Sequence, residues 1–465
     1  MMRWEKLLSR RRIGKEEQSA AKKDLRSEFE KDYHRIIVSA SFRRLQDKTQ
    51  VFPLDRSDFI RTRLTHSLEV SSIGRSLAQN IGTSIAEEGL DPSFTDSHKR
   101  DICDILQCAG LIHDIGNPPF GHFGEESIRE WFAGKLPELT ALGKPVREIL
   151  TKQQYEDLLH FEGKAQGLRM VTRLDYPAER YGMNLTCGLI SAMIKYPTPS
   201  TAVDAGSKDL KRRKAGYFSS EEEIFRMIDE ECGTDGARNP LTLILEAADD
   251  IAYATADIED AFKKGFFSYG TLTEELQLRG VAKPLREKLG DNFVLARLTG
   301  RMGADEYAVR TWLRQMQNYL IVAATEGVTA NYGAIMEGRF GGELISGRGP
   351  STLLKALKQI AYDYAFTSMS IFKTEIAANH VLTYLLDILV PAALAYDSGE
   401  RIGLMEEKYL SLIPENYRQV YQKWSSGLGG GERCFGRILL ATDTISGMTD
   451  SYARDLYTEL TGISS

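Results

Sequence analysis

From His66 onward, apolar residues stand at Val70, Ile73, Leu77 and Ile81, spacings of three and four that lay them along one face of an α-helix. Ile102, Ile105, Ala109 and Ile112 repeat the period. Gly116, Asn117, Pro118 and Pro119 then close that helix with residues unable to continue it. A third stripe begins at Leu241, Ile244, Ala248 and Ile251. Alternation with period two is scarce; its best instance is Gly341–Gly349, where Glu343, Leu344 and Ile345 between glycines predict a short hairpin. The pattern predicts an all-α, or mostly α, protein with at most a small β-hairpin.

Pro197–Gly216 and the glycine-rich Gly427–Gly431 read as surface loops, neither long nor distinct enough in composition to be a domain linker. No internal repeat is present. The 465 residues are 42% hydrophobic and 27% charged, ample material for a sizeable core. Length alone suggests about three domains, although large helical enzymes exceed that size as single units. Lys and Arg number 59 against 65 Asp and Glu, a net charge of −6. That balance argues against wholesale nucleic-acid binding, so a polyanion must be recognised locally; Arg10–Arg12 and Lys211–Lys214 are the local basic runs.

Cys103, Cys108, Cys187, Cys232 and Cys434 form no CxxC pair, which predicts neither a disulfide framework nor a cysteine zinc site and points to a reducing compartment. Met1–Lys15 has no apolar stretch of the kind a secretory signal needs. The apolar run Val381–Tyr396 contains Asp387 and Pro391 and falls short of the roughly 20 residues of a membrane span. The expectation is a soluble, cytoplasmic protein that does not engage a membrane.

His66 falls on a buried helix face, and His113 and Asp114 stand together at the end of another. An isolated buried histidine is more often a satisfied core residue. Here Asp249 and Asp250 also sit in the apolar helix Leu241–Asp260, and an acid in a core is costly unless paired or bound to a cation. Two imidazoles and two carboxylates suit a divalent metal such as Mn, Fe, Co, Mg or Zn.

Three ordered motifs carry a resemblance. They are Arg63-Leu64-Thr65-His66-Ser67-Leu68-Glu69, then His113-Asp114-Ile115-Gly116-Asn117-Pro118-Pro119-Phe120-Gly121-His122-Phe123-Gly124-Glu125, then Glu246-Ala247-Ala248-Asp249-Asp250-Ile251. Supporting segments are Phe42–Pro53, Gly182–Thr186, Lys195-Tyr196-Pro197 and Ser446-Gly447-Met448-Thr449-Asp450. Together they resemble the H…HD…D pattern of the HD phosphohydrolases, and specifically the deoxyguanosine triphosphate triphosphohydrolase family, from about residue 30 to 460.

The resemblance implies an HD-type helical core over residues 30–265, with residues 266–465 as further C-terminal helices packed on it and completing the nucleotide pocket. It implies one divalent metal ion, Mn, Mg or another first-row transition metal, held by His66, His113, Asp114 and Asp249. Asp249, Tyr253 and Asp257 share a helix face, which favours Asp249 over Asp250 as the ligand. The implied activity is hydrolysis of a dNTP, dGTP foremost, to deoxynucleoside and tripolyphosphate by attack at the α-phosphorus. His122 with Glu125 resembles the acid/base pair; a carboxylate beside an imidazole fixes its tautomer. Capping of a helix is their alternative role.

Arg63, Lys195, Tyr196 and Asn117 match positions expected to meet the triphosphate. Gln50 and Asp257 match the readers of the 3′-hydroxyl, Tyr253 the residue that closes against C2′, and Glu375 a carboxylate for guanine. The resemblance implies a homo-oligomer, often a hexamer; single-stranded DNA or a nucleotide is a candidate effector, with Lys211–Lys214 as the basic segment, for which a solvated loop is the alternative reading. One position departs from the pattern. Phe161-Glu162-Gly163-Lys164-Ala165-Gln166 has Lys164 where the family commonly has Asn, a donor-only cation for an amide that donates and accepts. The expectation is that this leaves the metal set intact and bears on substrate preference, or that Lys164 is a solvated loop residue. Two other function classes stay open: a different HD nucleotidase or phosphodiesterase, and a nucleic-acid-sensing protein with a residual site.

Overall fold

The computed structural model describes residues 1–14, 24–54, 57, 59–175 and 181–462. Helices α1 (Arg63–Glu87) and α2 (Asp96–Ile112) form the first layer. Helix α1 begins where the Thr62 hydroxyl accepts the Thr65 N–H and the Thr62 N–H is returned to the Thr65 hydroxyl at 3.0 Å. Thr95 opens α2 in the same position. The two helices run antiparallel, with Gly82 against Lys99, Gly74 against Leu106 and Ser71 against Gly110. A Cβ on Gly110 would lie 2.5 Å from the Ser71 backbone, so only glycine permits this approach. The antiparallel register therefore carries His66, near the start of α1, to His113, just past the end of α2.

The turn after α2 leads into α3 (Gly121–Lys135), and α4 (Gly163–Arg169) lies beneath it. Helix α5 (Pro240–Lys263) is capped by the Asn239 side chain, which accepts the Leu241 N–H at 2.9 Å, and starts with proline, whose missing N–H costs nothing there. It packs across α1 and α2 with Leu241, Ile244, Ala248 and Ile251 fully inside.

Helix α6 (Ala304–Ala330) covers α5 and α1, and α7 (Arg348–Ala361) covers α5 on another side. Helix α8 (Met369–Ala395) packs on α3, α9 (Gly430–Gly447) and α10 (Asp450–Thr461). Among the described residues α8 is long and apolar enough to cross a membrane, longer than the apolar run in the sequence suggests. Half of its most apolar stretch is buried inside the protein, and Asp387 within it accepts from Trp131 Nε1 at 2.8 Å. One apolar core runs from Trp4 through α1, α2 and α5 to Leu456 in α10, across the 265/266 boundary. All five cysteines are buried free thiols.

The protein is mostly α, and the small hairpin is not where alternation predicts it. Gly341–Gly349 forms no strand: Leu344 and Ile345 are buried, and the Leu344 carbonyl packs on Gly327 of α6 with no strand alongside. The described strands are β1 (Thr140–Ala141) and β2 (Lys144–Pro145), antiparallel and joined by Leu142 and Gly143, both left-handed as a two-residue hairpin turn requires.

Candidate metal and nucleotide site

His66 and His113 meet Asp249, which α5 turns toward them. His66 Nε2 lies 3.0 Å from Asp249 Oδ1, and His113 Nε2 lies 3.5 Å from the same oxygen. The two rings are 5.3 Å apart between centroids and steeply inclined. His113 Nδ1 lies 2.8 Å from the Gly110 carbonyl, an acceptor only, so this nitrogen carries the proton and the lone pair belongs to Nε2. That Nε2 is buried with no hydrogen-bond partner and faces a carboxylate. Two acceptors facing each other in a buried site call for a positive charge between them, a proton or a metal ion. Among the described residues, His66, His113 and Asp249 bring their donor atoms within 4.8 Å of one another, and this mixed N/O set fits a divalent transition metal.

Burial opposes ionisation here and is overcome. Burial pushes the Asp249 carboxyl up, but His113 and His66 hold it well below the usual carboxylate range. Burial pushes the His113 imidazole down, and Asp114 with Asp249 raises it again.

Asp114 stands beside this trio, its Oδ1 3.6 Å from His113 Nε2, but both of its oxygens already carry cations. Arg63 Nη1 pairs with Oδ2. Lys164 Nζ donates to Oδ1 at 2.8 Å and to the His113 carbonyl at 2.8 Å. Against burial, His113, Lys164 and Arg63 depress the Asp114 carboxyl strongly. Lys164 is thus neither a solvated loop residue nor remote from the metal set. It belongs to α4, has a side chain 17% exposed, and touches a proposed ligand. Asp250, next to Asp249, points to Lys358 Nζ at 2.6 Å, away from the histidines.

Gly121, with φ +62°, starts α3 directly under the Arg63 guanidinium, and a side chain there would collide with it. His122 follows, 75% exposed on the side chain, with Nδ1 3.0 Å from Glu125 Oε2. Glu125 is 1% exposed, and its other oxygen accepts the Gly163 N–H at 2.8 Å. Burial raises this carboxyl; His122, Lys214 and the Gly163 N–H outweigh it and bring it down to about 2. The arrangement orients the imidazole with Nε2 free.

These groups open into a cavity of about 980 Å³ whose wall includes Gln50, Arg63, Asp114, His122, Lys195, Tyr196, Asp249 and Tyr253. Lys195 Nζ pairs with Glu246 at 3.2 Å; burial lowers its pKa and Glu246 raises it further than that. Three expected contacts are not on this wall. Asn117 is 1% exposed, with both side-chain amide atoms unpaired beside Gly163. Asp257 is buried one turn beyond Tyr253, whose hydroxyl bonds to it. Glu375 is half-buried on α8. Gln50 Oε1 is buried and unpaired.

The wall also holds Lys164, Lys214, Lys355 and Lys358, which sequence reasoning did not assign to the site. Lys214 closes the run Lys211–Lys214, yet it turns inward and pairs with Glu162 Oε2 at 2.9 Å. Lys355 and Lys358 lie three apart on α7 and carry no motif. The other basic run is tied up within the chain: Arg10 pairs with Asp101, Arg11 with Glu231, and Arg12 with Glu28 and Asp32.

Residues 63–175, which supply His66, His113, Asp114, His122 and Glu125, match the HD domain family. The deoxyguanosinetriphosphate triphosphohydrolase-like protein of Listeria monocytogenes is 43% identical over 100% of both chains. Its namesake in Pseudomonas aeruginosa strain PAO1 is 34% identical, again over 100% of both. The deoxyguanosinetriphosphate triphosphohydrolase of Klebsiella pneumoniae is 32% identical, covering 98% of this chain and 97% of its own. With full-length identity of this order and the H…HD…D residues gathered in one cluster, the chain belongs to the deoxyguanosine triphosphate triphosphohydrolase family of HD-domain phosphohydrolases.

Proposed function

We propose that this phosphohydrolase is a metal-dependent dNTP triphosphohydrolase that cleaves dGTP to deoxyguanosine and tripolyphosphate. The observation that carries the reading is the trio His66, His113 and Asp249, with an orphaned imidazole nitrogen, at the edge of a cavity walled by arginine and lysines. His66, His113 and Asp249 would hold the metal, with Asp114 as the fourth ligand. Such a cation, when bound, polarises a phosphoryl oxygen and acidifies a coordinated water.

Arg63, Lys195 and Tyr196 orient and neutralise the phosphate chain, and a net-acidic protein needs this concentration of donors to bind a polyanion. His122 moves the proton at Nε2, with Glu125 holding Nδ1, and cleavage at the α-phosphorus expels O5′ of the sugar, which needs that proton. Tyr253 and Gln50 face the sugar side of the cavity, with Asp257 behind Tyr253.

The test is an assay of each dNTP and of GTP with Mn or Mg, resolving nucleoside, monophosphate, pyrophosphate and tripolyphosphate. Deoxyguanosine with tripolyphosphate is the expected pair. Monophosphate with pyrophosphate would place the break elsewhere and overturn the reading. Ala at His66, His113 or Asp249 should abolish Mn binding and turnover with the helical circular dichroism retained, and D250A should do less.

A further inference from the structure

Asp114 is the one proposed ligand whose two oxygens are both engaged by cations of the chain itself. Arg63 takes Oδ2. Lys164 takes Oδ1, at 2.8 Å, and a second hydrogen bond from the same ammonium to the His113 carbonyl, also 2.8 Å, fixes it there. Oδ1 is also the oxygen that lies 3.6 Å from His113 Nε2, so it is the one turned toward the trio. A cation shared by His66, His113 and Asp249 therefore reaches Asp114 through an oxygen on which an ammonium already sits. The ammonium both occupies a lone pair and adds a positive charge beside a dication, in a site where burial weakens solvent screening. An amide at residue 164 carries no charge and, being shorter, does not place an ammonium on Oδ1.

We propose that Lys164 competes with the divalent cation for Asp114 and so keeps the metal affinity of the free enzyme low, a proposal that rests on the metal-centre reading above. Lys164 is also part of the cavity wall, with Arg63, Lys195 and Lys214. A nucleotide in that cavity offers the ammonium phosphate oxygens in exchange for Asp114. Metal and nucleotide then bind cooperatively, each tightening the other by the same factor.

The experiment is equilibrium dialysis of Mn²⁺ against the full chain, stripped with EDTA, as wild type and as K164N, K164Q and K164R. The two neutral variants should bind Mn²⁺ roughly tenfold or more tightly than wild type, the scale on which neighbours of metal ligands act. K164R should stay near wild type because the charge remains. A non-hydrolysable α,β-imido dGTP analogue should tighten Mn²⁺ binding in wild type and do so less in K164N. Thermal unfolding of each variant identifies any that fails to fold, and the two neutral variants provide independent readings. Unchanged or weaker Mn²⁺ binding in folded K164N and K164Q overturns the proposal, provided that H66A and D249A abolish the binding. If H66A and D249A bind Mn²⁺ as wild type does, the metal-centre reading itself fails, and this inference with it.

Discussion

Asp450 holds Phe120 in a left-handed conformation: its Oδ1 accepts the Phe120 N–H at 2.9 Å, where φ is +63°. Its Oδ2 accepts the Thr49 N–H, also at 2.9 Å. A non-glycine residue seldom adopts this conformation without such support. Phe120 immediately precedes α3, so its orientation aims His122. Lys48 braces the same turn, with Nζ donating to the carbonyls of Asn117 at 2.6 Å and Ser446 at 2.7 Å. The C-terminal segment Ser446–Asp450 thus braces the turn that leads into His122.

Replacing Asp450 with Ala removes one carboxylate and leaves two backbone N–H groups without their acceptor. The expected loss of stability is about 3 kcal/mol, the scale of unpaired buried donors. D450N keeps an acceptor and should lose less. Urea denaturation of both variants decides this; equal loss in the two would mean that the one acceptor Asn retains contributes nothing and that the negative charge, or acceptance by both oxygens at once, is what Asp450 supplies.

Among the described residues His122 makes one side-chain hydrogen bond, to Glu125, and its imidazole lines the cavity. H122A should therefore lower kcat by roughly 10²- to 10⁴-fold, the range for one positioned proton-transfer group. Mn²⁺ and nucleotide binding should persist. E125Q keeps the contact with Gly163 through its amide oxygen but loses the carboxylate that orients Nδ1, so its kcat should fall by less than that of H122A. Loss of bound Mn²⁺ in H122A would make the imidazole a ligand and end the acid/base assignment.

The three helices that bring His66, His113 and Asp249 together lie where periodicity predicts them because each buries an apolar stripe, a local property of the chain. The pairing of His66 with His113 was legible for the same reason, since both terminate or begin such stripes around an antiparallel turn. What contacts Asp114 was not. Lys164 follows it by fifty residues, and no spacing rule links a turn after one helix to the first turn of another. Lys214 looked solvated because it ends a basic run, yet the buried acid Glu162 draws it inward. Asn117 shows the converse: a motif match suggested contact with phosphate, while the tight turn that precedes α3 buries its amide beside Gly163. The misplaced hairpin has a similar cause. In Gly341–Gly349 the adjacent Leu344 and Ile345 are both buried and anchor an irregular segment to the core, where a strand would have turned one of them outward.

Tyr253 lies on the cavity wall, its ring 6.3 Å from that of Phe366, and Asp257 stands behind it. Burial and Asp260 push the Asp257 carboxyl well above the usual range, against the opposing hydrogen bond from the Tyr253 hydroxyl. Y253A should open space beside C2′ and raise the kcat/KM of GTP relative to dGTP by roughly tenfold, while lowering both. D257A should reduce kcat/KM for dGTP more than for its 2′,3′-dideoxy analogue if the unpaired Oδ2 reads the 3′-hydroxyl. Ratios unchanged among the three substrates in both variants would remove this helix face from sugar recognition.

Asp157 ties the segment that carries Lys214 to the helix Lys152–Leu159. Its Oδ1 accepts from Ser200 Oγ and its Oδ2 from the Ser219 N–H, both at 2.6 Å. Burial raises this carboxyl to about 7, against the hydrogen bonds from Ser200 and Ser219 that favour ionisation. In the unfolded chain an aspartate titrates near about 4. Between these values the folded protein holds a proton that the unfolded chain has released, so raising the pH draws the equilibrium toward unfolding. The stability this group contributes is fully present below about pH 4 and is lost as pH rises through about 7. D157N cannot ionise; its amide oxygen still accepts from Ser219, and its amide N–H can donate to Ser200. The unfolding midpoint of wild type, measured against that of D157N, should therefore fall progressively from pH 5 to pH 8. Parallel midpoints across that range would show that Asp157 is ionised in the folded protein throughout, its two hydrogen bonds having outweighed its burial.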